Sequence, residues 1–317
     1  MRPRSVTVIA AFAALCSSGC DVGSADRHAA FERSAERTRT ALIKAGDPDS
    51  LEAAAFLGRA WGDQPSESLA LISRAAAAAP ERPDIAWLRL ELCVRVKTCD
   101  PKPIEVSLRA LDPGNGAAWT GSLERMDELG DMTATLEVID SIAGADHFYT
   151  YWNPTIVHVA HAVMRTDIMG PSAALIATIG VGAAQPMPYQ PFMRACREEP
   201  LGQPQAVATC RRLAAVLRRS DETLTEMLGV TIAQRVWPKD SPEYCEAAAA
   251  HRRLRYRLDM ESEVAERYPE DDAHAQRYLA LLADHPTEQE VVDTEIRSAG
   301  LNPDPAPTRS GLPPAPQ

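Results

Sequence analysis

His158 and His161 lie three residues apart, with His147 upstream and Asp167 downstream, and are the chain's nearest approach to a metal or acid–base centre. On a helix, residues three apart share a face, so the pair could begin a metal site. The spacing is not the four-residue step of a His-Glu-x-x-His zinc helix, and no glutamate stands between them. The expectation is packing or surface histidines and no metal. An alternative is an enzyme or small-ligand pocket built from His147, Trp152, His158 and His161, which requires those four side chains to meet. Other catalytic signatures fail. Gly180-Val181-Gly182 lacks a third glycine and a preceding strand, and Gly170-Pro171-Ser172 is not a nucleophile elbow. No glycine-rich phosphate loop occurs, and no two carboxylates pair as acid and base from sequence alone. No catalytic residue and no cofactor is therefore expected.

The elements that would position any site read as helical. The 317 residues include 52 alanines, few glycines and only 5% aromatics, which disfavours an all-β fold. With 33 basic against 44 acidic side chains the formal net charge is −11, which argues against a nucleic-acid binder.

Residues 1–20 carry a basic start (Arg2, Arg4), an apolar run from Val6 to Leu15, and small residues before Cys20. The run is too short to span a bilayer, which takes about 20 residues. The segment resembles a bacterial lipoprotein signal. That resemblance implies removal of residues 1–19, acylation of Cys20, including palmitate, and a tether over 20–30. It implies a periplasm-facing lipoprotein of the cell envelope, on a membrane the sequence leaves open. Ser17 stands where leucine is usual, and ordinary secretory cleavage after Ala25 is the rival. Loss of Arg2 and Arg4 leaves 31 basic against 44 acidic groups, a net charge of −13.

In an oxidising periplasm, Cys93 with Cys99 and Cys196 with Cys210 are expected as local disulfides. Cys245 is left over and is expected as a buried thiol, the rivals being a swapped pairing or an intermolecular bond.

Pro48, Pro80 and Pro113 recur at steps of 32 and 33, and Trp87 and Trp119 at 32. In the third copy Trp119, Leu123 and Met126 share one helical face, Leu129-Gly130-Asp131 forms a turn, and Leu136, Ile139 and Ile142 make a second stripe. This pattern resembles the tetratricopeptide repeat. The resemblance implies an all-α fold, a solenoid of helical hairpins over 31–146, with a leading cap helix from Phe31 to Lys44. The copies are degenerate: the second has Cys99-Asp100-Pro101 where the turn glycine belongs. Trp87 and Trp119 are expected as internal packing. The residues that would face a partner are Arg59, Arg89, Glu91, Glu124 and Arg125.

Residues 147–301 read as a second α-helical region outside the repeat. It opens on an aromatic cluster, Phe148, Tyr149, Tyr151 and Trp152, which acts as a plug between regions or, at Trp152, as a partner patch. Helices are expected over 155–166, 171–184, 204–219, 221–236, 241–268, 272–284 and 287–299, and 302–317 as a disordered Pro-rich tail. The combined expectation is a membrane-anchored envelope lipoprotein that scaffolds an unknown protein partner through its helical repeats, touching the membrane through its lipid and no nucleic acid.

Overall fold

The computed structural model describes residues 22–60, 63–184, 189–197, 204–267 and 271–304. The expected signal segment, Cys20 and nearly all of the Pro-rich tail lie outside these. Among the described residues the fold is all-α, with fifteen helices and no sheet. They are α1 (Val22–Ala45), α2 (Pro48–Gly58), α3 (Pro65–Ala78), α4 (Pro83–Val94), α5 (Lys102–Leu111), α6 (Thr120–Glu128), α7 (Met132–Ala143) and α8 (Trp152–Met164). Then come α9 (Pro171–Ala183), α10 (Tyr189–Ala195), α11 (Pro204–Leu217), α12 (Thr223–Val236), α13 (Pro242–Arg267), α14 (Asp272–Asp284) and α15 (Glu288–Ser298). The first helix starts nine residues before the expected Phe31, inside the segment read as a tether.

Local chemistry explains the ends. Proline at the first helical position opens α2, α3, α4 and α9, where a missing N–H costs nothing. Asp47 caps α2 by accepting from the Ser50 N–H at 3.1 Å, and Asp131 caps α7 through the Ala134 N–H at 3.0 Å. Gly130, at φ +69°, makes the left-handed turn between α6 and α7 that a residue with a Cβ would strain to adopt.

Hairpins α2/α3, α4/α5 and α6/α7 pack in sequence order. A free-standing stack would let each hairpin touch only its neighbours. Here α8, from beyond residue 147, lies against α1, α2 and α4. Packing continues from α7 to α11, α12, α13, α15 and α14, and α14 returns to α8 and α9. The succession of helices closes on itself.

The two large hydrophobic cores are each drawn from both sides of residue 147, while two small clusters, around Leu254 and Ile296, come from the later helices alone. One joins Leu51, Phe56, Ile72 and Leu88 to Ile156, Val159 and Leu279. The other joins Trp87, Leu90, Leu123 and Ile139 to Phe148, Phe192, Leu213 and Ile232. Helix α4 feeds both, with Ile85, Leu88 and Leu92 on one face and Trp87 and Leu90 on the other. A helix apolar on both sides has to be buried, and α4 is the central element. Trp87 is 4% exposed, and Trp119 is half-buried under the Arg109 guanidinium, 4.1 Å from its ring.

Both expected disulfides form, Cys93–Cys99 and Cys196–Cys210. Cys245 is exposed, contrary to the buried thiol expected. The buried stripe of α13 runs through Ala247, Ala250 and Leu254, and position 245 falls off that face.

Candidate functional site: an acidic cleft walled by aromatic rings

Trp87 and Glu91 are four residues apart on α4 and so point the same way. They form a common wall between two adjoining hollows. The smaller, about 150 Å³, also takes Phe56, Trp152, Gly182, Tyr189 and Glu222. The larger, about 320 Å³, takes Arg95, Glu124, Asp127, Glu128 and Gln190. The cleft lies where hairpin helices α2, α4 and α6 meet α8, α9, α10 and the start of α12.

The segment before α8 places Trp152. Asn115 grips it, its amide donating to the Tyr149 carbonyl at 2.8 Å while its oxygen accepts from the Tyr149 N–H at 2.9 Å. Tyr151 has a left-handed backbone, φ 58°, and its hydroxyl donates to Asp112 at 2.8 Å. Such a conformation costs a bulky residue about 1–3 kcal/mol, and the surrounding bonds hold it. Asp221, buried, accepts from the Thr150 N–H at 2.9 Å and the Trp152 N–H at 3.0 Å. Burial pushes its carboxyl up to about 6, against the lowering effect of those bonds. Gly182 completes the seat: a Cβ there would come within 2.6 Å of the Trp152 ring.

Among the described residues, five carboxylates line the cleft (Glu91, Glu124, Asp127, Glu128 and Glu222), and Arg95 is the one guanidinium that does. Arg59 stands 3.7 Å from Glu91, and Arg194 pairs with Asp127. Burial, then the charges of Glu288 and Asp221, push Glu222 up to about 8, although its side chain accepts from the Thr225 hydroxyl at 3.0 Å. Burial and the neighbouring Glu91 push Glu124 up to about 7. Glu91 is itself raised by burial, against Arg59 and Arg95. Burial is the largest cause of each shift, and the nearby guanidinium groups lower Glu91 and Glu124 without offsetting it.

Of the expected partner-facing residues, Glu91, Glu124 and Trp152 line the cleft, and Arg59 reaches it through Glu91. Arg89 does not line it, and Arg125 pairs with exposed Asp100 at 3.4 Å. The four residues of the alternative pocket do not meet: only Trp152 lines the cleft. His147 pairs with Asp112 at 3.2 Å, His161 is exposed, and His158 joins a separate ionic cluster with Asp84 and Arg82.

Sequence reading missed Tyr189, on the short helix α10, and took Asp221-Glu222 only as a helix start. It also missed Glu52, whose signal is its isolation inside the apolar run Leu51 to Leu57. Comparison with known proteins finds no matching family, curated protein or solved structure.

Proposed function

We propose that this chain is an envelope lipoprotein, tethered through acylated Cys20, whose helical hairpins present the cleft to a protein partner. The partner docks by inserting a cationic side chain, lysine or arginine, between Trp87, Trp152 and Tyr189. The observation that carries this reading is the row of carboxyls, Glu91, Glu124 and Glu222, that desolvation raises beside the rings of Trp87, Trp152 and Tyr189. Ring faces attract a cation, at about 0.5–2 kcal/mol each, and an incoming charge lets the carboxyls below ionise. The hairpins, which resemble tetratricopeptide repeats, would supply the rigid frame that recognition needs.

Two experiments test it. Titration of a short lysine-containing peptide, followed by tryptophan fluorescence, is expected to saturate and to weaken about tenfold in Glu222→Gln or Glu124→Gln. Equal binding of the same peptide with its lysines acetylated would remove the cationic basis. For the tether, Cys20→Ser is expected to release the protein from membranes without detergent. Retention of that variant in the membrane fraction would refute acylation at Cys20.

A further inference from the structure

A second site lies away from the cleft, where α2, α4 and α8 come together. Glu52 on α2 is 0% exposed, Asp84 in the first turn of α4 is 2% exposed, and His158 on α8 is half-buried. One side-chain atom from each lies within 4.8 Å of the others. All three donors converge on a single nitrogen, Nη2 of Arg82. Glu52 Oε2 stands 2.9 Å from it, His158 Nδ1 stands 2.6 Å from it, and Asp84 Oδ2 makes the closest contact.

This arrangement asks more of a guanidinium than it has to give. Nη2 carries two hydrogens and stands against two carboxylate oxygens and an imidazole nitrogen whose role depends on its tautomer. His158 Nδ1 is also 2.9 Å from Asp84 Oδ2. It cannot both donate to that carboxylate and accept from Arg82. The other oxygen of the buried carboxylate, Glu52 Oε1, has no hydrogen-bond partner. Two carboxylate oxygens and an imidazole nitrogen gathered at one point suit a cation that accepts a lone pair from each, with Nδ1 in its unprotonated form.

We propose that Glu52, Asp84 and His158 form a binding site for a divalent transition metal of the zinc class, with Arg82 as the resident cation that the metal displaces. Two carboxylates and one imidazole are ligands zinc takes, at bond lengths of about 2.0–2.2 Å, with a fourth position left open. Tetrahedral bonds of that length separate ligands by about 3.4 Å, so small rotations close the set. Arg82 has somewhere to go: its Nη1 already bonds Asp49 at 2.9 Å, and its side chain is 22% exposed. A metal here would tie α8 to the first two hairpins.

The test is calorimetric titration of Zn²⁺ into the full chain, in a Cys16→Ser/Cys20→Ser/Cys245→Ser background that removes every thiol outside the two disulfides, with Co²⁺ absorption as a second readout. One equivalent is expected to bind wild type. Arg82→Met, which removes the competing cation, is expected to bind about tenfold tighter and to gain thermal stability with the metal. His158→Ala, at a half-exposed position that tolerates truncation, is expected to lose binding and the Co²⁺ bands. Undiminished binding in folded His158→Ala, or no binding by wild type, would overturn the proposal. Should Arg82→Met fail to fold, wild type against His158→Ala still decides it.

Discussion

Glu222 and Glu124 carry the cleft's share of the pH response, alongside Asp221, Glu261 and Glu295, which burial also raises. The carboxyls of Glu222 and Glu124 are held at about 8 and about 7 by burial and by neighbouring acids, against about 4.3 in an unfolded chain. Between those limits the folded state binds more protons than the unfolded one. The stability they contribute is complete below about pH 4.3 and is lost as pH rises through 7 to 8. Asp84 works the other way. Burial raises it, but the hydrogen bonds and charges of Arg82 and His158 outweigh that and hold it well below the usual carboxylate range. Its contribution is present above about pH 4 and is lost as pH falls. Thermal melts are therefore expected to peak between about pH 4 and 6 and to decline toward pH 8.5, with Glu124→Gln/Glu222→Gln flattening the alkaline side. A double variant with the same alkaline decline as wild type would show that other groups carry it. None of these perturbed groups announces itself in the sequence. A glutamate's proton affinity depends on what packs against it, and Glu91, Glu124 and Glu222 come from two different helices and the turn before a third.

Helix boundaries were far more legible than the site. The expected 272–284 matches α14 residue for residue, and 171–184, 204–219 and 241–268 fall within two residues of observed ends. Proline starts, the glycine turns at 130 and 300, and apolar periodicity are local signals. Helix α10 was missed because seven residues hold too little periodicity to register. Its neighbour Gly182 shows what local reading cannot see, since its value lies in a ring thirty positions away in sequence. Gly182→Ala is expected to lower stability by about 1–3 kcal/mol through overpacking and to displace Trp152. A variant with unchanged melting temperature and unchanged tryptophan emission would contradict that close approach. The disulfides were legible from spacing and compartment together. Thiol titration of native oxidised protein is expected to find Cys245 reactive. If the chain is processed and acylated at Cys20 as proposed, denaturation should expose no further free thiol. Reducing Cys196–Cys210, which closes a 15-residue loop, should cost about 3 kcal/mol in the chain-entropy model.

At the scale of the whole molecule, the boundary expected near residue 147 does not separate the two large hydrophobic cores, because α4 feeds both and each takes side chains from both regions. Long-range closure of this kind leaves no periodic mark in a sequence. Thermal unfolding is expected as one cooperative transition, with far-UV and near-UV signals coinciding. Two separated transitions would show regions that fold independently. The closure also places the cleft, since its walls come from the hairpins and from the helices that return over them. In the proposed function this cleft takes a cation, and its carboxyls ionise as it does so. Calorimetry of a lysine-containing peptide at pH 7, repeated in buffers of different ionisation enthalpy, tests it most directly. Net proton release is expected on binding, reduced in Glu222→Gln and Glu124→Gln. Binding with no proton release, or with the same heat for the lysine-acetylated peptide, would contradict it.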